Sequence, residues 1–87
     1  MAMYQRKDGI MAADLNGETV MMDVETGKYY NIGRVGGRMW ELLENPMSRE
    51  QLVAALTKEY DVSAEQCDKD IEPFMAKMLE IGLITEA

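Results

Sequence analysis

The hydrophobic pattern changes period once along this chain, from strand-like over residues 9–32 to helical beyond them. The stretch Gly9–Leu15 is followed by Asn16-Gly17, a dipeptide suited to a two-residue hairpin turn because both turn positions need positive φ. Gly27 then provides the left-handed position of a longer turn into a third stretch, Lys28–Ile32. The pattern predicts a three-stranded antiparallel meander. In its middle strand, one face carries Val20, Met22 and Val24, and the other carries Thr19, Met21 and Asp23.

Three helices are predicted to follow the strands. Asn31 can cap the first helix through its side-chain oxygen, and Asn45-Pro46 ends it. The second helix opens at residues 48–51 and the third at residues 63–66, where serine and glutamine form the same capping-box pattern. Pro73 predicts a bend near residues 69–73 of the third helix, and Gly82 ends that helix. Residues 83–85 either return as a short strand or cover the core.

The apolar residues of these helices recur at helical spacing and form the predicted core. They are Val35, Met39, Leu42 and Leu43, then Leu52, Val53 and Leu56, and finally Cys67, Ile71, Phe74, Met75, Met78 and Leu79. Of the nine methionines, Met22, Met39 and Met78 are assigned to the core, whereas Met21 and Met75 are expected to face a groove. Gly36 and Gly37 are expected to permit close backbone packing, since each costs about 1 kcal/mol in a helix relative to alanine.

A chain of 87 residues can enclose one modest core, which excludes a multidomain enzyme. Its 47% hydrophobic and 29% charged residues are typical of a folded globular domain and not of a disordered tail. We predict a flexible tail at residues 1–8 and a single α+β domain at residues 9–87.

The apolar runs are too short to span a bilayer, and the first residues lack the apolar stretch of a signal peptide. Cys67 is the only cysteine, so no internal disulfide can form. These features predict a cytoplasmic protein that does not act at a membrane.

The net charge of −7 lies entirely in the second half of the chain. Residues 1–40 carry five basic and five acidic side chains, whereas residues 41–87 carry four basic and eleven acidic ones. The acidic half would repel a nucleic-acid backbone, so we expect no nucleic-acid partner.

The sequence carries little that could perform catalysis. It contains no histidine, which removes the commonest general base and the commonest metal ligand. Cys67 lies at an apolar helix position beside Asp68 and Asp70, which disfavours a thiolate nucleophile. The acidic residues of the third helix lack the spacing of a calcium loop, and Gly33–Gly37 lacks a nucleotide-binding fingerprint. We therefore predict no enzyme activity, no cofactor and no metal.

The third strand of a simple meander is an edge strand with unpaired backbone groups. Natural edges usually carry several charges or a proline, but Lys28 is the only such residue in this strand. Tyr29 and Tyr30 point to opposite faces, so one can join the core while the other stands beside the edge. An extended peptide could add here as a fourth strand. Alternatively, the chain's own termini cover the edge, and topology alone does not separate the two arrangements.

Residues 18–84 resemble the PqqD-like family, the peptide chaperones of pyrroloquinoline quinone biosynthesis and the related recognition elements of ribosomally synthesised, post-translationally modified peptides (RiPPs). The similarity is closest to the standalone leader-binding proteins of lasso-peptide biosynthesis. It is carried by the order and spacing of Tyr29–Ile32, Gly37–Leu43, Pro46–Leu52, Leu56, Glu59–Val62, Cys67, Asp70-Ile71, Phe74 and Gly82–Ile84.

The resemblance implies a winged helix-turn-helix-like fold, with a three-stranded antiparallel sheet followed by three helices. It also implies that a precursor's leader peptide pairs with the third strand and lies against the third helix. Its partners would be a transglutaminase-like cysteine peptidase and an asparagine-synthetase-like cyclase. By position, the implied leader contacts are Lys28, Tyr29, Tyr30, Asn31, Ile32, Asp68, Ile71, Glu72 and Met75.

Three alternatives stay open at this point. A winged-helix DNA-binding regulator has a similar order of elements, although its recognition helix should be basic. A PqqD-type chaperone could serve another class of modified peptide. A generic adaptor could pair its open edge with a second copy of itself.

Overall fold

The computed structural model describes residues 2–86. Met1, the first residue of the predicted tail, and Ala87, the last residue of the predicted domain, lie outside the described residues. The predicted meander is confirmed. It consists of β2 (Ile10–Leu15), β3 (Glu18–Asp23) and β4 (Tyr29–Ile32) in the order β2-β3-β4. Asn16 and Gly17 both have positive φ, 57° and 87°, as the hairpin turn requires.

A second small sheet joins the ends of the chain. It consists of β1 (Met3–Arg6), β5 (Met47–Ser48) and β6 (Ile84–Glu86) in the order β5-β1-β6. The short return strand at the carboxyl end was one of the two predicted options, but β1 lies within residues 1–8, which were predicted to be a flexible tail. The strand is ordered by distant contacts: its backbone pairs with β6, and Arg6 lies 5.2 Å above the Trp40 ring and donates to the Trp40 carbonyl. Contacts with such distant residues produce no recognisable pattern within the four residues of β1 itself.

The three predicted helices are α1 (Gly33–Leu42), α2 (Arg49–Glu59) and α3 (Ala64–Glu80). Ser48 forms the complete predicted capping box with Gln51. Ser63 accepts from the Gln66 amide, but the Gln66 side chain donates instead to Asp70 at 2.7 Å. Pro73 lies within α3, which runs unbroken from residue 64 to residue 80.

The start of α1 differs from the prediction by one residue. Ile32 occupies the N-cap position and makes no side-chain cap bond. The Asn31 side-chain oxygen accepts from the Gly33 amide at 2.9 Å instead. Asn31 therefore satisfies one amide of the first turn from outside the cap position.

One core joins the inner face of the meander to all three helices. Met39 and Met78 are buried as predicted, whereas Met21 is fully buried and Met22 is only half-buried. The predicted alternation along β3 is correct, but the choice of core face was wrong, because α1 packs on the side that carries Thr19 and Met21. Met75, which was expected to face a groove, is 3% exposed. The other core residues are Trp40, Leu43, Leu52, Val53, Leu56, Cys67, Ile71, Leu83 and Ile84.

Gly36 and Gly37 let α1 approach its neighbours closely, as the sequence predicts. A Cβ atom on Gly37 would collide with the Thr19 side chain of β3. A Cβ atom on Gly36 would lie 2.7 Å from Phe74 Cε2 and 3.1 Å from Ile32 Cβ. The glycine pair therefore sets how near α1 lies to the sheet and to α3.

A single carboxylate organises the turn before β4. Asp23 is 5% exposed, and its Oδ1 accepts from the Glu25 and Thr26 amides while its Oδ2 accepts from Lys7 Nζ at 2.9 Å. The Lys7 bond, followed by the two amides, holds the pKa of Asp23 below its ordinary value. This contact fastens the segment after β1 to the end of β3 and fixes the point from which β4 starts.

Replacing Gly37 with alanine should destabilise the fold by about 1–3 kcal/mol, because the added methyl must push α1 away from Thr19. Urea unfolding followed by the fluorescence of Trp40, the only tryptophan, measures this loss. In a Thr19→Gly background the same substitution should cost less. An equal cost in both backgrounds would show that the Thr19 contact is not its source.

Asp23→Asn keeps the shape of the side chain but removes the charge that pairs with Lys7. Since the folded-state pKa of Asp23 lies below the ordinary value near 3.8, the pair stabilises the fold above that pH, and the stabilisation is lost as pH falls through the folded-state pKa. The variant should melt at a lower temperature than the wild type near pH 7, and the difference should shrink as the pH falls below about 4. A difference in melting temperature that stays constant with pH would contradict this origin.

Candidate functional site

The meander keeps one open edge. In the order β2-β3-β4, β4 pairs with β3 on one side and has no strand on its other side within residues 2–86. The described parts of both termini lie in the other sheet, where β1 pairs with β6, so they do not cover this edge. Of the two arrangements considered from the sequence, the open edge is the one present.

The pairing of β4 with β3 shows which backbone groups are free. The Asp23 amide donates to the Lys28 carbonyl at 2.9 Å, and the register continues with Met22 opposite Tyr29 and Met21 opposite Tyr30. Because hydrogen-bonded and non-hydrogen-bonded pairs alternate in an antiparallel ladder, the amides and carbonyls of Tyr29 and Asn31 point away from β3. These are the groups that an added strand would use.

Side chains of β4 alternate between two faces. Tyr30 and Ile32 are half-buried on the inner face and pack against the core, whereas Tyr29 is 71% exposed on the outer face. Lys28 precedes the strand and is exposed. One tyrosine thus anchors the edge strand to the domain, and the other is left beside the open edge.

The inner side of this edge faces one flank of α3. Phe74, Ile32 and Gly36 meet at a single point, where the Phe74 ring covers the glycine. One and two turns earlier on α3, Ile71, Asp70 and Cys67 lie on the same flank, since residues three and four apart share a helix face. We call the surface formed by Ile32, Val35, Asp70, Ile71 and Phe74 the α3 trough.

The trough contains an apolar pocket of about 230 Å³. It is closed by residues of all three helices and of the α2–α3 connection, and the only ionisable carboxylate among them is Asp70. The lining residues are Val35, Leu56, Tyr60, Val62, Cys67, Asp70 and Ile71. A pocket of this kind can hold an apolar side chain, with one polar contact at its rim.

The structure places the α3 residues implied by the resemblance in three different settings. Ile71 lines the pocket, and Met75 is buried beneath the surface. Asp68 and Glu72 lie on the opposite flank, where both form ion pairs with Arg49 at the start of α2, and the Asp68 bond measures 2.7 Å. The hydrogen bonds that Arg49 donates to Asp68 and then to Glu72 raise the pKa of Arg49. These two carboxylates fasten α2 to α3.

Phe74, Asp70 and Val35 border the trough but were not among the implied contacts. For Phe74, a signal exists in the sequence. Gly36 creates a gap on α1 that only a large side chain of a neighbouring element can fill, and Phe74 is the only phenylalanine in the chain. Without the crossing point of α1 and α3, the sequence could not assign that phenylalanine to this gap.

The thiol near the edge, that of Cys67, is poorly suited to act as a nucleophile. Cys67 is 4% exposed, and burial together with Asp70 and Asp68 raises the pKa of its thiol, which disfavours the thiolate. Within residues 2–86 no cluster of three or more potential metal ligands occurs, and no helix has the length and apolar content to cross a bilayer.

Comparison with solved structures finds chains of similar fold. The structure of TbiB1 in complex with the TbiA(beta) leader peptide matches with a TM-score of 0.78 and 29% identity, over 92% of this chain and 93% of that chain. A lasso peptide synthetase B1 complexed with the leader peptide matches with a TM-score of 0.76 over 94% of this chain and 96% of that chain, and at 21% identity this likeness concerns the fold alone. Among curated protein sequences, none matches.

The family model described as coenzyme PQQ synthesis protein D (PqqD) matches residues 18–84. The match extends from the first residue of β3 to the first residue of β6 and includes the open edge and the whole of α3. Since this range is most of the chain, the protein belongs to the PqqD family.

Proposed function

We propose that this protein binds the leader segment of a ribosomally made precursor peptide, a lasso-peptide precursor in the first instance, by strand addition to β4. The observation that carries the proposal is the free edge of β4 beside an apolar trough. The solved complexes of similar fold contain leader peptides, which supports a ligand of the same class here. Membership of the PqqD family supports a chaperone role.

Binding by this mode needs both backbone and side-chain contacts. Each added main-chain hydrogen bond contributes about 0.5–1.5 kcal/mol net, whereas ordering a disordered leader costs about 2–5 kcal/mol. A few edge bonds therefore only offset the ordering cost. Selectivity must come from apolar side chains that enter the α3 trough, where the pocket offers about 230 Å³.

In this function the protein acts as a carrier and not as a catalyst. A bound leader brings the rest of the precursor to a high local concentration at an enzyme docked nearby. We propose that the enzymes served are a transglutaminase-like cysteine peptidase and an asparagine-synthetase-like cyclase. The buried thiol and the absence of histidine are consistent with the reactive groups being on those partners.

Of the contacts implied by the resemblance, we retain Lys28–Ile32 and Ile71 as the strand and the pocket wall. Phe74, Asp70 and Val35 are proposed as additional contacts because they face the same trough. Asp68, Glu72 and Met75 become secondary candidates, since the two carboxylates pair with Arg49 and the methionine is buried.

Blocking one outward amide tests strand addition directly. Asn31→Pro removes an amide that points away from β3, so the sheet should persist while leader binding weakens by at least about tenfold. The matched control is Asn31→Ala, which also loses the side-chain bond to Gly33 but keeps the amide. The probe is a fluorophore-labelled leader peptide of a lasso-peptide precursor, with a scrambled peptide as the negative control, and binding is followed by anisotropy.

Equal binding by the proline and alanine variants would show that β4 does not pair with the leader. Failure of the wild type to distinguish the leader from its scrambled version would remove the proposed function altogether. Circular dichroism of each variant verifies that the fold is intact.

Substitutions on the two flanks of α3 locate the leader. Val35→Asp adds a charge at the rim of the trough on a residue that is 47% exposed, in the first turn of α1, where an acidic side chain is well tolerated. It should weaken leader binding about tenfold or more, and Phe74→Ala should do the same. Glu72→Ala, on the Arg49 flank, should bind like the wild type. The reverse pattern would move the leader to the opposite flank and restore Asp68 and Glu72 as its contacts.

A further inference from the structure

The outer face of the meander carries an exposed apolar row that the inner trough does not explain. Met11 lies opposite Met22, and Met22 lies opposite Tyr29, so the three side chains cross the sheet in line. Met11 is 62% exposed, Tyr29 is 71% exposed, and Met22 is half-buried between them. We call these three side chains the outer row.

A shallow depression accompanies the outer row. It has a volume of about 230 Å³, and its walls include Met11, Val20, Met22 and Tyr29. None of the residues that line it is charged. The depression is large enough for one aromatic or long aliphatic side chain, and methionine next to an aromatic ring forms favourable sulfur–aromatic contacts.

Because the outer row ends at the open edge, a side chain of an added strand can reach this depression. Tyr29 ends the row, and its backbone amide and carbonyl are among those that point outward. In an antiparallel addition, the strand residue opposite Tyr29 exchanges both main-chain bonds with it and places its side chain on the same face. That side chain then lies beside the Tyr29 ring, as the next member of the row.

We propose that the leader is read on both faces of the added strand, and this rests on its proposed addition to β4. Residues that point inward enter the α3 trough, and the residue opposite Tyr29 packs on the outer row. The ligand class is therefore a leader segment with apolar side chains on both faces, and with an aromatic or long aliphatic residue at the outward position. A leader that alternates strictly between apolar and charged residues would fill the α3 trough but would place a charged side chain on the outer row.

The test replaces the outer row while leaving the trough intact. Tyr29→Ser and Met22→Ser should each weaken binding of the labelled leader about 5- to 20-fold. Leu15→Ser is the matched control, because Leu15 is 56% exposed on the same face but lies at the far end of β2, away from the open edge. It should bind like the wild type, and circular dichroism should show the native fold for all three variants.

A double-mutant cycle identifies the side chain that occupies the depression. Serine is placed at each leader position in turn, and each substituted leader is titrated against the wild type and against Tyr29→Ser. At one outward position, the serine substitution should weaken binding to the wild type but cause little further loss of affinity for Tyr29→Ser. Normal leader binding by Tyr29→Ser and Met22→Ser would overturn two-faced reading while leaving strand addition in place. If these variants instead abolish self-association in sedimentation experiments without changing leader affinity, the outer row belongs to a second copy, and the inference is equally overturned.

Discussion

The pairing of the two chain ends with each other is the constraint on which the binding edge depends. An unpaired strand edge attracts any extended segment within reach, and the segments with the highest local concentration are the chain's own termini. Here β1 and β6 pair in a separate sheet, with Tyr4 opposite Glu86 and Arg6 opposite Ile84. The described termini are thereby held away from β4, which remains free for a foreign strand.

The edge is also held rigid from several directions, which lowers the ordering cost that falls on the protein. Asp23 fixes the turn before β4 through two amides and Lys7, and Tyr30 anchors the strand to the core. Gly36 and Gly37 bring α1 against the sheet and α3, so the trough exists before any ligand arrives. Preorganisation of this kind leaves only the peptide to be ordered on binding, which lowers the free-energy cost of binding.

Local patterns were enough to predict the meander and the three helices, but they left open whether the edge of β4 is free or covered by the termini. The Asn16-Gly17 turn, the Ser48 capping box and the glycine pair of α1 each work through neighbouring residues or strict periodicity. The second sheet could not be predicted in this way, because four residues of β1 are ordered by partners more than forty positions away. The prediction of which face of β3 joins the core was wrong for a related reason. Met21 and Met22 are chemically identical, and only the position of α1 decides which of them is buried.

The candidate site could likewise be predicted only in part. The pairing strand could be predicted from the order of the strands. The flank of α3 that faces this strand could not, because it depends on how α3 crosses its neighbours, which no local sequence pattern encodes. Asp68 and Asp70 are two residues apart and therefore about 200° apart around the helix axis, which places them on opposite flanks, and the sequence alone does not say which flank faces β4. The structure resolves this ambiguity through Arg49, whose guanidinium binds Asp68 and Glu72 and so occupies that flank from the α2 side. An extended peptide on the Arg49 flank would have to displace these charge-assisted bonds, whereas on the Phe74 flank it meets a largely apolar surface whose carboxylate, Asp70, accepts one bond from Gln66 of the same helix.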